Sequence, residues 1–172
     1  MLDVDPVPVA WQAVRHSPHP SELLGRPARP TDGRWLRAAV ASGLYLADEP
    51  DTAVAEWYRL LAERGIPPRF GVPFELHVWS VDVTLADLSS PDRPARVGLE
   101  RPRPSRRTWS AYQDVGDQLH AEGWAGLVAP SAARPEGRIA CLFCESWPPA
   151  GAEPISRSTV ADVPPPPTGM TT

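Results

Sequence analysis

The chain has 172 residues, 42% of them hydrophobic, with a formal net charge of −4. That length fits one domain with a substantial core and excludes disorder throughout. The acidic balance excludes a nucleic-acid binder with a basic footprint, and the lack of any lysine among 17 basic residues excludes Schiff-base and P-loop lysine chemistry.

Residues 1–8, rich in Asp, Pro and Val, predict a flexible N-terminus. Val9 to His16 predicts a first strand, with Trp11 and Ala13 alternating against polar neighbours. Pro18 to Thr31 is a Pro/Arg/Gly loop that enters the turn Gly33-Arg34-Trp35. Leu44 to Ala47 is a short apolar run that predicts a strand. Asp51 is the expected N-cap of a helix over 51–64, whose apolar positions 53, 54, 57, 60 and 61 share one face, and Gly65-Ile66-Pro67-Pro68 stops it. Phe74, Leu76, Val78 and Val81 to Val83 predict another strand, with alternation disturbed at Trp79.

Residues 89–107 form a Pro-rich loop. Thr108 caps an expected helix to Glu122, with apolar positions 109, 112, 115 and 119 and Gly123 as its stop. Leu127 to Ala129 and Ile139 to Phe143 predict two short strands. From 147 to 172, Pro148-Pro149 and the run Pro164 to Pro167 predict a disordered, polyproline-like tail. The body, residues 9–146, is a mixed α/β (α+β) domain of short strands and two main helices. No run has the length of a membrane span, and no basic region precedes an apolar stretch at the N-terminus, so a cytoplasmic protein is expected.

Arg34, Tyr45 and Glu56 recur at intervals of eleven residues, one in a loop, one on a strand and one in the first turns of a helix. A glycine precedes the first closely and the second by two positions, marking close backbone approach. Glu56 lies between Ala53 and Leu60 on the apolar face of its helix, where a carboxylate is either paired or lining a site. Tyr45 points opposite to Leu44 and Leu46 and, on the residues alone, reads as a core or surface tyrosine. Arg34 is either solvated or a bidentate phosphate contact. Ser131, after Pro130 at a strand end, either bonds a ligand or caps a turn. Cys141 and Cys144 are three apart on a strand, hence on opposite faces, which disfavours a shared metal or a disulfide. His16, His19, His77 and His120 form no metal-ligand set.

These motifs, with Ala129-Pro130-Ser131-Ala132 further on, resemble the RES domain family: a GRW-like turn, an LYLA-like strand, an A-E helix and a P-S-A segment, in that order. The resemblance spans Val9 to Glu145. It departs at Leu36-Arg37, where the family often has Asn-Pro. It implies an ADP-ribosyltransferase-like fold that consumes NAD+ as a substrate and needs no cofactor, with inorganic phosphate as co-substrate or water in its place. It also implies a toxin neutralised by an antitoxin of Xre, helix-turn-helix type; a homo-oligomer stays open. On that basis Arg34, Tyr45 and Glu56 are the expected catalytic residues, and Arg15, Arg34, Tyr45 and Ser131 the expected NAD contacts. A protein ADP-ribosyltransferase and a non-catalytic RES-like binding module are the alternatives. The Arg-rich loop (Arg93, Arg96, Arg101, Arg103, Arg106, Arg107, with Glu100 its only acid) is a candidate docking surface for an acidic partner.

Overall fold

The computed structural model describes residues 1–21, 31–90 and 92–171; most of the expected 18–31 loop lies outside them. Two long strands, β1 (Asp5–Pro18) and β3 (Phe74–Asp87), pair antiparallel along their whole length. With β2 (Ser42–Ala47), β4 (Gly126–Pro130), β5 (Arg138–Cys144) and β6 (Ala152–Val160) they form one sheet of order β1-β2-β5-β4-β3-β6. Because β1 also pairs with β3, the first five of these strands close into a ring. One edge of β3 is shared: Ala86 and Asp87 run parallel to β4, while Phe74 to Val81 pair antiparallel with β6.

Strand alternation sorts the core. Val9 and Ala13 of β1 and Trp79, Val81 and Leu85 of β3 share one face and pack with Leu44, Leu46, Val128, Ala140 and Leu142. On β4 and β5 the intervening residues Leu127, Ala129, Cys141 and Phe143 point the other way. They pack with Trp35, Leu36, Tyr112, Val115 and Leu119. The disturbance expected at Trp79 is not in β3, whose pairing with β1 runs unbroken and whose His77, Trp79 and Val81 are buried in step; the register with β6 shifts between Val78 and Trp79, leaving Ile155 of β6 as the extra, exposed residue, a β-bulge.

Helix α1 (Pro50–Glu63) presents Ala53, Val54, Trp57, Tyr58 and Leu61 to the sheet. Pro50 takes the first helical position, so Glu49 and not Asp51 is the N-cap; Asp51 instead puts a negative charge in the first turn, where it complements the helix dipole. Gly65, at φ +66°, ends the helix in the left-handed conformation that glycine adopts freely. A one-turn helix α2 (Arg93–Arg96) interrupts the Pro-rich loop, and α3 (Trp109–Ala121) follows Thr108 as predicted. No helix among the described residues is long and apolar enough to cross a membrane.

Both ends of the chain depart from expectation. Residues 5–8 belong to β1, and Leu2 and Val4 pack against the α3-side core, so the N-terminus is not a flexible arm. The expected disordered tail contains β6, and beyond it Met170 packs against the cluster of Val54, Trp57, Tyr58, Leu61 and Phe74. Proline on both sides hid a nine-residue strand. Its own Pro154 is tolerated because β6 is an edge strand and Pro154 sits next to the bulge.

Candidate functional site

Glu56 projects from the second turn of α1, its side chain 14% exposed. Its Oε1 accepts a hydrogen bond from Ser131 Oγ at 2.6 Å and its Oε2 one from Arg59 Nε at 2.7 Å. Burial alone would raise the carboxyl's pKa. The charge of Arg59, the two hydrogen bonds and His16 outweigh it and hold the pKa below the ordinary glutamate value, so Glu56 is ionised at neutral pH. Ser131 is fully buried, and its Oγ also accepts from the backbone N–H groups of Ala133 and Arg134. The hydroxyl therefore caps the turn after β4, one of its two readings, and gives its one proton to the Glu56 carboxylate, a partner that neither reading named.

Arg34 is 7% exposed. Its Cζ lies 5.4 Å from the Tyr112 ring centre and 5.8 Å from that of Trp109, and Nη2 donates to the Arg103 carbonyl at 2.9 Å. Nη1 is buried without a hydrogen-bond partner among the described residues. Burial, then the neighbouring Arg59 cation, disfavours the charge on this guanidinium, while Glu56 supports it. Arg34, Arg59 and Glu56 thus share one field. Arg34 is not a solvated loop residue.

The Tyr45 ring is where the two glycines meet. A Cβ on Gly33 would collide with its hydroxyl, and one on Gly43 would lie 3.1 Å from the ring edge. The hydroxyl accepts from the Trp35 backbone N–H at 3.1 Å, which locks the Gly33-Trp35 turn. Burial raises the phenol well above its usual pKa, so it stays neutral. Cys141, on the same face of the neighbouring strand, is likewise pushed up to about 12 by burial.

Arg15 does not join this group as expected. It lies directly across from His77 in the β1–β3 register, and successive strand residues face opposite ways, so its neighbour His16 is the one toward α1. His16 interacts electrostatically with Glu56 and Arg59, and burial, then Arg15, lowers its pKa to about 4. The Arg15 guanidinium instead interacts with Cys144 and keeps a buried, unpartnered Nη1. Sequence reasoning missed His16 and Arg59. Arg59 was findable: it is three residues after Glu56 and four before Glu63, the spacing that pairs charges along a helix, and it bonds both.

The departure at Leu36-Arg37 is built into the core. Leu36 is buried, and Arg37 binds Asp114 at 2.6 Å and Asp117, both on α3. The turn carrying Arg34 is thereby anchored to α3. Most of the Arg-rich loop is also tied to its own chain. Arg93 reaches Asp87 at 2.5 Å, Arg96 reaches Asp3 and Asp5, Arg101 donates to the Pro135 carbonyl, and Arg106 meets Glu63 at 3.2 Å. Among the described residues, Arg103 and Arg107 are the loop arginines without such a side-chain tie, so as a docking surface for an acidic partner the loop reduces to those two. A cleft of about 310 Å³ opens beside it, lined by Arg101, Pro102, Arg103, Pro104, Ala132, Pro135 and Thr171. No group of His, Cys, Asp and Glu among the described residues is arranged to hold a metal ion.

A family model described as RES domain matches residues 9–164. The chain belongs to the RES domain family. The match runs through β6, in line with that strand being part of the body. This RES domain is 29% identical over 117 residues to the NAD(+) phosphorylase MbcT of Mycobacterium tuberculosis and, to the same degree, to that of Mycobacterium bovis. The alignment covers 66% of this chain and 63% of those relatives, so it spans less than two thirds of their length. In three dimensions the RES domain is similar to the crystal structure of the M. tuberculosis MbcT–MbcA toxin–antitoxin complex. The TM-score is 0.77 at 21% identity, over 91% of this chain and 87% of that one, which is a likeness of fold.

Proposed function

We propose that this RES domain cleaves NAD+ at the bond between nicotinamide and ribose, with phosphate as the acceptor. The observation that carries the proposal is the shielded, ionised Glu56, fixed by Ser131 and Arg59. In the reaction the C1′–N bond breaks and its electron pair neutralises the nicotinamide ring nitrogen. The departing ring needs no general acid, and the ribose becomes oxocarbenium-like. A carboxylate held rigidly beside it stabilises that charge as it develops. An oxygen of phosphate then bonds C1′ to give ADP-ribose 1-phosphate; water in its place gives ADP-ribose and releases a proton. Arg34, with a buried Nη1 that has no hydrogen-bond partner among the described residues, supplies the cation for the dinucleotide's pyrophosphate. The Tyr45 ring forms the wall on which ribose or nicotinamide packs.

The relatives' name, NAD(+) phosphorylase, supports phosphate over water, and the toxin–antitoxin neighbour supports a toxin held in check by an antitoxin; an antitoxin of the helix-turn-helix type and a cytoplasmic location complete the reading. The test is incubation with NAD+ in the presence and absence of phosphate, with products resolved by chromatography and phosphorus NMR. Phosphate-dependent NAD+ loss with a new phosphomonoester is the expected result. Unchanged NAD+ overturns the proposal. Label transferred to a protein acceptor would mark a protein ADP-ribosyltransferase instead.

A further inference from the structure

After β6 the chain does not leave the domain. It runs back along α1 to the Ser131 turn, and four contacts fasten it. The Tyr58 hydroxyl donates to the Pro164 carbonyl. Arg134 Nε donates to the Thr168 carbonyl at 3.1 Å. Met170 packs into the α1 cluster, and the Thr171 N–H donates to the Ala133 carbonyl at 2.6 Å. The proline run suits this path, since an extended polyproline segment has few donors of its own to satisfy and loses little entropy on docking.

Arg134 joins the segment to the site. Its backbone N–H donates to Ser131 Oγ at 3.0 Å. Its Nη1 reaches Thr52 Oγ1 at 3.2 Å and pairs with Glu49, both at the start of the helix that carries Glu56. One residue therefore touches the Ser131 turn, the Glu56 helix and the C-terminal segment. Gly137 closes the same corner: a Cβ there would collide with the Thr52 side chain, and the Gly137 carbonyl accepts from the Ser131 N–H at 2.8 Å.

We infer that residues 161–171 are a strap that sets the Ser131–Glu56 geometry, with Arg134 as the positioning residue through which it acts. The strap holds the turn so that the Ser131 hydroxyl keeps its proton on the carboxylate. Misplacement of a catalytic group by about 1 Å costs rate far more than it costs binding. The inference rests on the proposed NAD+ cleavage for its kinetic reading and on amide exchange for a reading independent of it.

Two sets of substitutions in the full chain test it. Arg134→Gln removes the side-chain contacts and keeps the backbone N–H; Tyr58→Phe combined with Met170→Ala loosens the strap and leaves Arg134 in place. Both should lower kcat at least tenfold with KM for NAD+ within about threefold of wild type. Neither should lower activity further in a Ser131→Ala background, because the effect passes through that hydroxyl. Amide exchange at Ala133 and Arg134, whose N–H groups bond Ser131 Oγ, should quicken in both variants while exchange in β1 and β3 is unchanged. Wild-type kcat in both variants overturns the strap, as does an equal loss with and without Ser131. If wild type consumes no NAD+, that reading fails by itself, and unchanged exchange at Ala133 and Arg134 would then refute the strap.

Discussion

Glu56→Gln separates charge from shape at the centre of the site. The amide occupies the carboxylate's volume and retains one oxygen to accept from Ser131 or Arg59, so the shape of the site is kept. It loses the negative charge that Arg59 and the two hydrogen bonds hold in its ionised form. If that charge stabilises an oxocarbenium-like state, the loss of one preorganised electrostatic contact lowers turnover by about 10²–10³-fold, equivalent to about 2.7–4 kcal/mol. Stability changes less, because Arg59 keeps its second partner, Glu63. One weakened charge-assisted bond costs about 1–2 kcal/mol, and each kcal/mol lowers Tm by about 2–4 °C at this size. The assay is NAD+ consumption at saturating NAD+ and phosphate, well below Tm, beside a thermal unfolding curve. Turnover at the wild-type rate by a folded Glu56→Gln protein refutes the reasoning. The pH profile adds a check: since the Glu56 pKa is lowered, turnover should persist below the ordinary glutamate range before it falls on the acid side.

Arg34→Lys keeps a cation but loses the planar fork and the stacking on Tyr112 and Trp109, so KM for NAD+ should rise by about 10–100-fold, matching about 1.5–3 kcal/mol; wild-type KM would reduce Arg34 to diffuse charge. Because Arg34 is buried, its Tm should drop as well, which kinetics measured at low temperature will not confuse with binding. His16 is neutral in the folded protein and charges at about 4, against about 6.5 when unfolded. Its contribution is complete above that unfolded value and is lost as pH falls from about 6.5 to 4, by at most about 3.5 kcal/mol at about 1.4 kcal/mol per unit. Denaturant unfolding across that range should show the loss in wild type and a flatter profile in His16→Gln; equal slopes would place His16 in solvent. A Cβ on Gly116 would collide with the Trp35 backbone carbonyl, so Gly116→Ala must push α3 off the Arg34 turn. It should lower stability by about 1–3 kcal/mol, read as a Tm drop of several degrees; an unchanged Tm would show that the helix has room to shift.

The residues that sequence placed best are those whose local pattern and tertiary role coincide. Gly33 and Gly43 flank one tyrosine, and the acid on an apolar helix face is shielded and paired. The misreadings have one cause, neighbours remote in sequence. Arg15 and His16 could not be assigned to faces until the register with β3 was known, because a shift of one residue exchanges them. β6 was hidden because its pairing strand lies some eighty residues earlier and its flanks are proline. The Arg-rich loop looked like a free basic surface because most of its acids, Asp3, Asp5 and Glu63, are far along the chain; Asp87, six residues before Arg93, is the near one.

The two arginines of the site differ in a way that follows from who neutralises them. Arg59 is bonded by Glu56 and Glu63, so its charge is matched and its work is to orient the carboxylate. Arg34 donates to a backbone carbonyl and stacks between aromatic rings, neither of which cancels a full charge. It is buried at a cost, and under the proposed function that cost is recovered when the pyrophosphate binds. Binding energy and catalytic geometry would then fall to separate cations. The Arg34 turn is held by the Tyr45 hydroxyl on one side and, through Leu36 and Arg37, by the core and α3 on the other, so the proposed anion site has a fixed place. The Ser131 turn and α1 bring the carboxylate to another. The distance between those two places is set by the closed sheet, whose strand β2 leads from the Arg34 turn to the Glu56 helix while its partner β5 follows the Ser131 turn.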